Sequence, residues 1–355
     1  MTGAAHPDVI VAGGGIGGLS AAFALARRGL SVRVLERSAE FGEVGAGLQL
    51  APNCTRILDE YGRLAGVDLR TSAHVTEYEN TGPGAKVTLA DGAEHTARLV
   101  IAADGLHSSA RAALVGDEPV NSAYVAYRGA VPIEKVRENN VSETDVVVYV
   151  GPRCHFVQYP LRGGEMFNQV AVFESARALA GEEDWGTPDE LDAAFAHTTA
   201  DIQRGLPLMG RDRWWRMFDR EPLGTWVYGR IALLGDAAHP PLQYIAQGAI
   251  MAIEDGYVLA EHLAANPDPD RGLAAYQAVR PEHCRRVLGA SRAWGELWHA
   301  DGEKRDRRNE ILRARDVHDY SFTDWLYSTT ALTPDQEPAM FRPIPLAAPS
   351  PVPAV

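Results

Sequence analysis

The chain has 355 residues, 46% apolar and 23% charged, the composition of an ordinary folded protein of two domains or two lobes on one core. Its net charge of −13 excludes the concentrated basic face that nucleic-acid phosphates require, while leaving room for local arginines to draw a small anion. No apolar run approaches the about 18 residues of a membrane span, and Met1–Pro7 lacks the basic and apolar regions of a signal peptide.

The chain opens with a strand pattern at Val9–Ala12, a turn over Gly13–Gly18, a helix to about Arg28 and a second strand at Val32–Leu35. Gly13-x-Gly15-x-x-Gly18 has dinucleotide spacing: one glycine for the tight bend, one for close approach of a pyrophosphate, one for helix–strand packing. Ala21, Ala22, Ala24 and Ala26 let the helix lie close on the sheet. Glu36 ends the second strand, where a carboxylate would hold ribose hydroxyls. Strand, turn, helix, strand and acid in this order predict a nucleotide site. One helix fits within Asn53–Ala65, followed by a strand within Val67–Val75. Leu99–Ala103 reads as a further strand closed by Asp104-Gly105, with Ser108 and Arg111 at a helix start.

Alternating patterns then fill Tyr124–Ile133, Asp145–Val150, His155–Leu161 and Met166–Phe173, the last two joined across Arg162–Glu165. This predicts an antiparallel lobe inserted into the nucleotide domain. Ile231–Leu234 is a strand, followed by Gly235-Asp236, a Pro-Pro loop, and a small-residue helix with Gly248 near its start. A strand-end carboxylate can grip sugar hydroxyls, and a helix N-terminus can face an electron-rich carbonyl. Helical spacing continues through Ile253–Leu263 and Leu273–Trp298, and the second of these is long enough to pair two subunits. The charged run 301–315 reads as a solvated helix face, and residues 331–355, rich in proline, as a mobile tail. Cys54, Cys154 and Cys284 are too isolated for a metal-ligand set or a disulfide framework, so a cytoplasmic protein without metal is expected.

Three segments together, GGGIGG with Glu36, ADG-LHSSAR, and GDAAHP, resemble the single-component flavoprotein monooxygenases that hydroxylate phenols and aromatic acids. The likeness runs to about residue 300. It implies an α/β fold: a Rossmann-like FAD-binding domain (1–120 and 223–265), an inserted antiparallel β-sheet substrate lobe (121–222) and C-terminal helices (266–330). It further implies FAD as cofactor, with NADH or NADPH visiting transiently and therefore no second fingerprint. Asp236 would bind the ribityl chain, and the backbone of Gln247, Gly248 and Ala249 would face the flavin pyrimidine edge. Asp104 would fix the cofactor from the other side. Arg37, Gln49 and Asn53 flank a loop that wraps the flavin in such proteins, with Gln49 the best contact candidate.

Residues 155–175 and 211–244 further resemble the 3-hydroxybenzoate 6-hydroxylases, which make gentisate, with salicylate 1-hydroxylase as a relative. In that group a histidine and a tyrosine four apart on a strand, and a glutamine in the PPLQY loop, line the aromatic pocket. The matching residues are His155, Tyr159 and Gln243. Period two puts His155 and Tyr159 on one strand face, where they can also simply satisfy each other. An electrophilic oxygen needs an electron-rich ring. His155, with a reference pKa of about 6.5, suits removal of a phenolic proton. Gln243 would orient the hydroxyl, and Tyr159 would hold the carboxylate or a relayed water. Arg128 can pair with an anion or sit at a strand edge, Trp214-Trp215 reads as packing at the lobe junction, and His239 as structural, hydrogen-bonded within its loop.

The sequence departs from this pattern after residue 65. Family members carry several more strands and a helix there, with a His-Arg pair whose arginine contacts FAD. Roughly fifty to sixty residues have no counterpart here, and a crossover needing about a dozen residues falls to one helix. Two classes of function follow: an FAD monooxygenase acting on a small aromatic acid with O2, or a non-catalytic flavin or aromatic-acid binding protein.

Overall fold

The computed structural model describes residues 6–41, 47–61, 67–139 and 141–327. The expected junction at 65–66 and the tail at 331–355 lie outside the described residues. Apolar runs near the N-terminus build a parallel sheet because strands covered on both faces need no polar alternation. Strand β1 (Val9–Ala12) is buried throughout, α1 (Ile16–Arg27) follows the glycine turn, and β2 (Val32–Leu35) pairs parallel with β1. Helix α2 (Pro52–Tyr61) leads to β3 (Val67–Arg70), which adds parallel to β2 in the register Val32 to Val67.

The expected strand Val67–Val75 is two strands. The chain turns at Ser72, whose φ is +53° and whose N–H is taken by the Ser38 carbonyl, so the run cannot continue in one sheet. Strands β4 (Val75–Asn80), β5 (Ala85–Leu89) and β6 (Glu94–Ala97) form a separate antiparallel sheet. Its apolar face, Val75, Ala85, Val87 and Ala97, packs against Ile10, Ala12, Leu35 and Val100 of the parallel sheet.

Strand β7 (Leu99–Ala102) returns beside β1, and α3 (Ser109–Leu114) follows, capped by the Ser108 hydroxyl. The substrate lobe comprises β8 (Val120–Pro132), β9 (Val147–Gly151), β10 (Cys154–Leu161) and β11 (Met166–Glu174). Short helices α4 (Ala176–Leu179), α5 (Pro188–Phe195) and α6 (Ala200–Gly205) follow, and then β12 (Trp215–Asp219). The strand order is β12-β8-β11-β10-β9, all antiparallel. Phe156, Tyr127 and Phe173 point to the helices, where Trp185, Leu191 and Phe195 cover them, while the alternate residues face the other way.

Strands β13 (Val227–Tyr228) and β14 (Ile231–Leu233) complete the first sheet in the order β13-β14-β7-β1-β2-β3. Helices α7 (Gly248–Ala265) and α8 (Pro269–Trp298) cover it, and α9 (Gly302–Ala314) and α10 (Asp324–Tyr327) end the described chain. No described helix is long and apolar enough to cross a membrane.

Helices α1 and α7 touch backbone to backbone. A Cβ on Gly256 would stand 2.7 Å from the Ala21 nitrogen, so only glycine permits this approach. Gly256→Val is expected to destabilise the chain by about 1–3 kcal/mol, read as a lower urea midpoint at unchanged slope. An unchanged midpoint would contradict the packing described.

Candidate active site

A cleft of about 500 Å³ lies between the parallel sheet and the substrate lobe. At one end it is lined by Gly15, Ile16 and Gly17 of the first turn and by Asp236, Gly248 and Ala249. At the other end stand His155, Tyr159, Gln243 and Arg128, with Gln49 along one wall. Two helix N-termini therefore open on the same space, each presenting N–H groups that no side chain caps.

The first end fits an extended anionic cofactor. A Cβ on Gly15 would meet nothing, so the turn leaves room there. One on Gly18 would stand 2.0 Å from the Gly13 carbonyl oxygen, which fixes the glycine spacing. Asp236 opens to the cleft and accepts no hydrogen bond from the described residues, a free carboxyl suited to a polyol. Its low-polarity surroundings and the charge of Asp255 hold it above the usual carboxylate range, against the pull of His239. Glu36, outside the lining, is held by two backbone donors: the Gly14 N–H to Oε2 at 2.6 Å and the Ser38 N–H to Oε1 at 2.8 Å. Burial would raise its pKa, but these donors bring it below the ordinary value, so it remains a carboxylate.

Asp104 is turned away from the cleft. Its Oδ2 accepts from the Tyr78 hydroxyl at 3.0 Å and from the Ser109 N–H at 2.9 Å, at the start of α3. Its neighbours Ala103 and Gly105 form the cleft edge instead. Gln247 is buried, with Oε1 accepting from Asn53 at 3.3 Å, so the backbone at the α7 start, rather than this side chain, faces the cleft. Arg37 does not line the cleft.

Asp236 owes its position to Asp255 beneath it. The fully buried Asp255 carboxylate accepts from the Gly235 N–H at 3.0 Å, His239 Nε2 at 2.5 Å and Arg280 Nε at 2.7 Å. Burial alone would raise its pKa, but His239 and Arg280 bring it down to about 2. Burial likewise opposes charge on His239, which Asp255 and Cys284 overcome to keep it protonated. His239 thus bonds outside its own loop. Cys284, isolated in sequence, lies beside His239 and Asp255, but Arg280 already supplies the cation of this cluster.

In the substrate lobe, Val148, Val157, Val170 and Arg128 lie side by side across the strands by register. His155 and Tyr159 flank Val157 on the same face of β10, and both reach the cleft. They do not bond each other. His155 Nδ1 is 2.8 Å from His299 Nε2, whereas the Tyr159 hydroxyl pairs with Asn168. Burial, helped by His299, holds His155 well below the usual imidazole pKa. Arg128, left open by sequence, donates to Gln243 Oε1 at 3.3 Å and stacks over Trp215 at 5.4 Å. It is the one cationic side chain among the described residues lining the cleft. The two tryptophans diverge: Trp214 packs toward Tyr127 on the helix side, Trp215 toward the cleft side.

An FAD binding domain profile matches residues 48–291, and an FAD dependent oxidoreductase profile matches residues 8–48. The chain is 34% identical to 3-hydroxybenzoate 6-hydroxylase of Polaromonas naphthalenivorans strain CJ2, over 90% of this chain and 95% of that protein. It is also 34% identical to 3-hydroxybenzoate 6-hydroxylase 1 of Aquipseudomonas alcaligenes, over 91% and 98%. A solved salicylate hydroxylase substrate complex shares the fold with a TM-score of 0.74 at 24% identity, over 92% of this chain and 96% of the other. The first alignment spans 380 positions, while 90% of a 355-residue chain is about 320. That relative therefore carries about 60 positions with no counterpart here.

Asp236→Ala is expected to give a folded protein purified largely without flavin, read from the ratio of visible flavin absorbance to protein absorbance. Full flavin content would remove Asp236 from the site. Asp255 has a folded pKa of about 2 against an ordinary 3.8. Its stabilisation is therefore present above 3.8 and lost as pH falls toward 2. Urea midpoints measured across that range are expected to fall, and Asp255→Asn to remove about 3–5 kcal/mol at neutral pH.

Proposed function

Because the chain belongs to the FAD binding domain family of flavoprotein aromatic hydroxylases, we propose that it hydroxylates a phenolic aromatic acid with NADH or NADPH and O2. The proposed substrate is 3-hydroxybenzoate and the product gentisate. One observation carries this reading: a single cleft joins the glycine turn and Asp236 at one end to His155, Tyr159, Gln243 and Arg128 at the other. Bound FAD, once reduced by the nicotinamide, would supply an electrophilic oxygen derived from O2. Gly15, Asp236 and the N-terminus of α7 are the residues that would hold it.

The side chains at the far end suit a ring bearing a hydroxyl and a carboxylate. His155 is neutral at physiological pH, which is the form able to accept the phenolic proton and enrich the ring. Arg128 meets the carboxylate, with the Tyr159 hydroxyl beside it. Burial raises Tyr159 above its ordinary pKa, against Arg128 and Asn168, so it stays a neutral donor. Gln243 has its Oε1 engaged by Arg128 and keeps its amide hydrogens for the substrate hydroxyl. Oxygen delivered para to that hydroxyl gives the 2,5-dihydroxy product.

The test is NADH or NADPH oxidation with 3-hydroxybenzoate, followed by product analysis. Gentisate is expected. Catechol with CO2 from salicylate would move the substrate to that acid, and absence of any ligand-stimulated oxidation would refute the hydroxylase reading for this shortened chain. His155→Ala is expected to slow hydroxylation far more than flavin reduction; equal losses would defeat the role assigned to it. Arg128→Leu is expected to raise KM for the acid about 10–100-fold, the scale of a charged hydrogen bond of about 1.5–3 kcal/mol. An unchanged KM would leave Tyr159 as the anchor.

A further inference from the structure

His299 lies 144 positions beyond His155 yet touches it ring to ring. Around His155 the other near rings are Trp298 at 4.9 Å and Tyr244 at 5.7 Å, both edge to face. Among the described residues the Nδ1 atom has one hydrogen-bonding partner, His299 Nε2 at 2.8 Å. His299 is itself fixed. It caps the end of α8, stacks on Tyr124 at 4.4 Å, and its carbonyl accepts from the Arg153 N–H at 3.3 Å.

Two neutral imidazoles share one proton across such a contact, and its position decides what each ring offers elsewhere. A substrate hydroxyl that donates to His155 must meet a lone pair. The proton of the neutral ring then has to sit on Nδ1, and it needs an acceptor. We propose that His299 is a positioning residue that accepts the Nδ1 proton of His155 and so keeps Nε2 as the lone pair presented to the substrate. This inference rests on the reading of His155 as proton acceptor and adds a second residue to that function.

The surroundings favour His299 as acceptor. Arg308 on α9 is buried and bound to the Leu297 and Trp298 carbonyls at 3.2 and 2.9 Å. Burial together with this cation holds His299 down to about 4, so it is neutral at neutral pH and one of its ring nitrogens carries a lone pair able to accept. The remaining charged or titratable groups nearby are Tyr124, Glu174 and Arg153 on the lobe, Cys154 beside His155, Tyr244 in the loop before α7, and Asp219. Glu174 is engaged by Tyr124 and by Arg153 at 3.5 Å, and Asp219 by Arg292 at 2.7 Å. When the substrate proton reaches His155, the Nδ1–H bond to His299 remains and steadies the imidazolium. Arg308 opposes passage of the proton further.

The probe is 3-hydroxybenzoate bound to the FAD-loaded protein without nicotinamide, and the readout is the ultraviolet band of its phenolate against pH. Substituting His299→Leu is expected to shift ionisation of the bound phenol upward by at least tenfold in proton concentration, with the Kd at low pH within threefold of the parent. His299→Gln, whose carbonyl can accept the Nδ1 proton, is expected to recover at least half of that shift. A His299→Leu protein that titrates like the parent, while His155→Leu is shifted, overturns the role of His299 and leaves His155 intact. If His155→Leu also titrates like the parent, the proton-acceptor reading falls and this inference with it. Should His299→Leu fail to hold FAD or ligand, His299→Phe, which keeps a ring on Tyr124 but has no acceptor, decides: an upward shift supports the role, and parent-like ionisation overturns it.

Discussion

Much of this molecule turns on one buried carboxylate. Asp255 sits on α7 with no exposure, and its oxygens gather the Gly235 N–H and His239 from the turn after β14 and Arg280 from α8. An ionised group in such a place is tolerable only with partners of this quality, and removing any one leaves a charge without compensation. The result is geometric. Gly235 is pinned at φ +60°, so the next residue, Asp236, is delivered into the cleft at the end of β14. Arg280 extends the same network to Glu254, and Glu254 to Asn53 at the start of α2. The turn that carries Asp236, the helix whose N-terminus lines the cleft and the loop bearing Gln49 are thus held by one network of ion pairs and buried hydrogen bonds.

What the sequence made legible was local. The glycine turn, the apolar runs of β1, β2 and β7 and the alternation of β8 to β11 each carry their signal within a few residues. The convergence of those segments on one cleft agrees with that reading. The sheet β4 to β6 went unread because its strands are short and mostly exposed on one face: Glu77 and Glu79 stand in the sequence where a more buried strand would repeat apolar residues. Its available cues were the turn at Gly82–Gly84 and the alternation Ala85, Val87, Leu89. Arg128 was ambiguous for a different reason. A strand residue's face follows from period two, but whether that face meets solvent or a ligand depends on what packs opposite, and Gln243 arrives from a loop 115 residues later. His299 carried no signal at all: its importance is a contact between a helix end and a strand.

About 60 positions of one relative have no counterpart here, yet the parallel sheet keeps six strands. Among the described residues helix α2 is the one element between the loop at Gln49 and β3, and β3 adds to β2 in full register over Val67–Arg70. The connection from Leu35 to Val67 still has 31 residues, above the about a dozen that a parallel crossover needs. Strand β3 is the edge of the six-stranded sheet, with Leu69 half exposed. Charge compensates in part: Asp68 takes Arg33 at 2.7 Å and Arg70 at 3.1 Å, placing a polar girdle along that edge. Leu48 and Leu50 stand exposed on the loop that also bears Gln49.

That loop ties the two ends of the cleft together. A Cβ on Gly47 would stand 2.4 Å from Leu161, so the loop rests directly on the end of β10, the strand that presents His155 and Tyr159. Its far end enters α2, where Asn53 bonds Gln247 and Glu254. Displacement of the loop at Gly47 would act on the strand of the proton acceptor, and displacement at Asn53 would act on the start of α7. The two halves of the cleft are therefore coupled by packing at one end and by buried hydrogen bonds at the other.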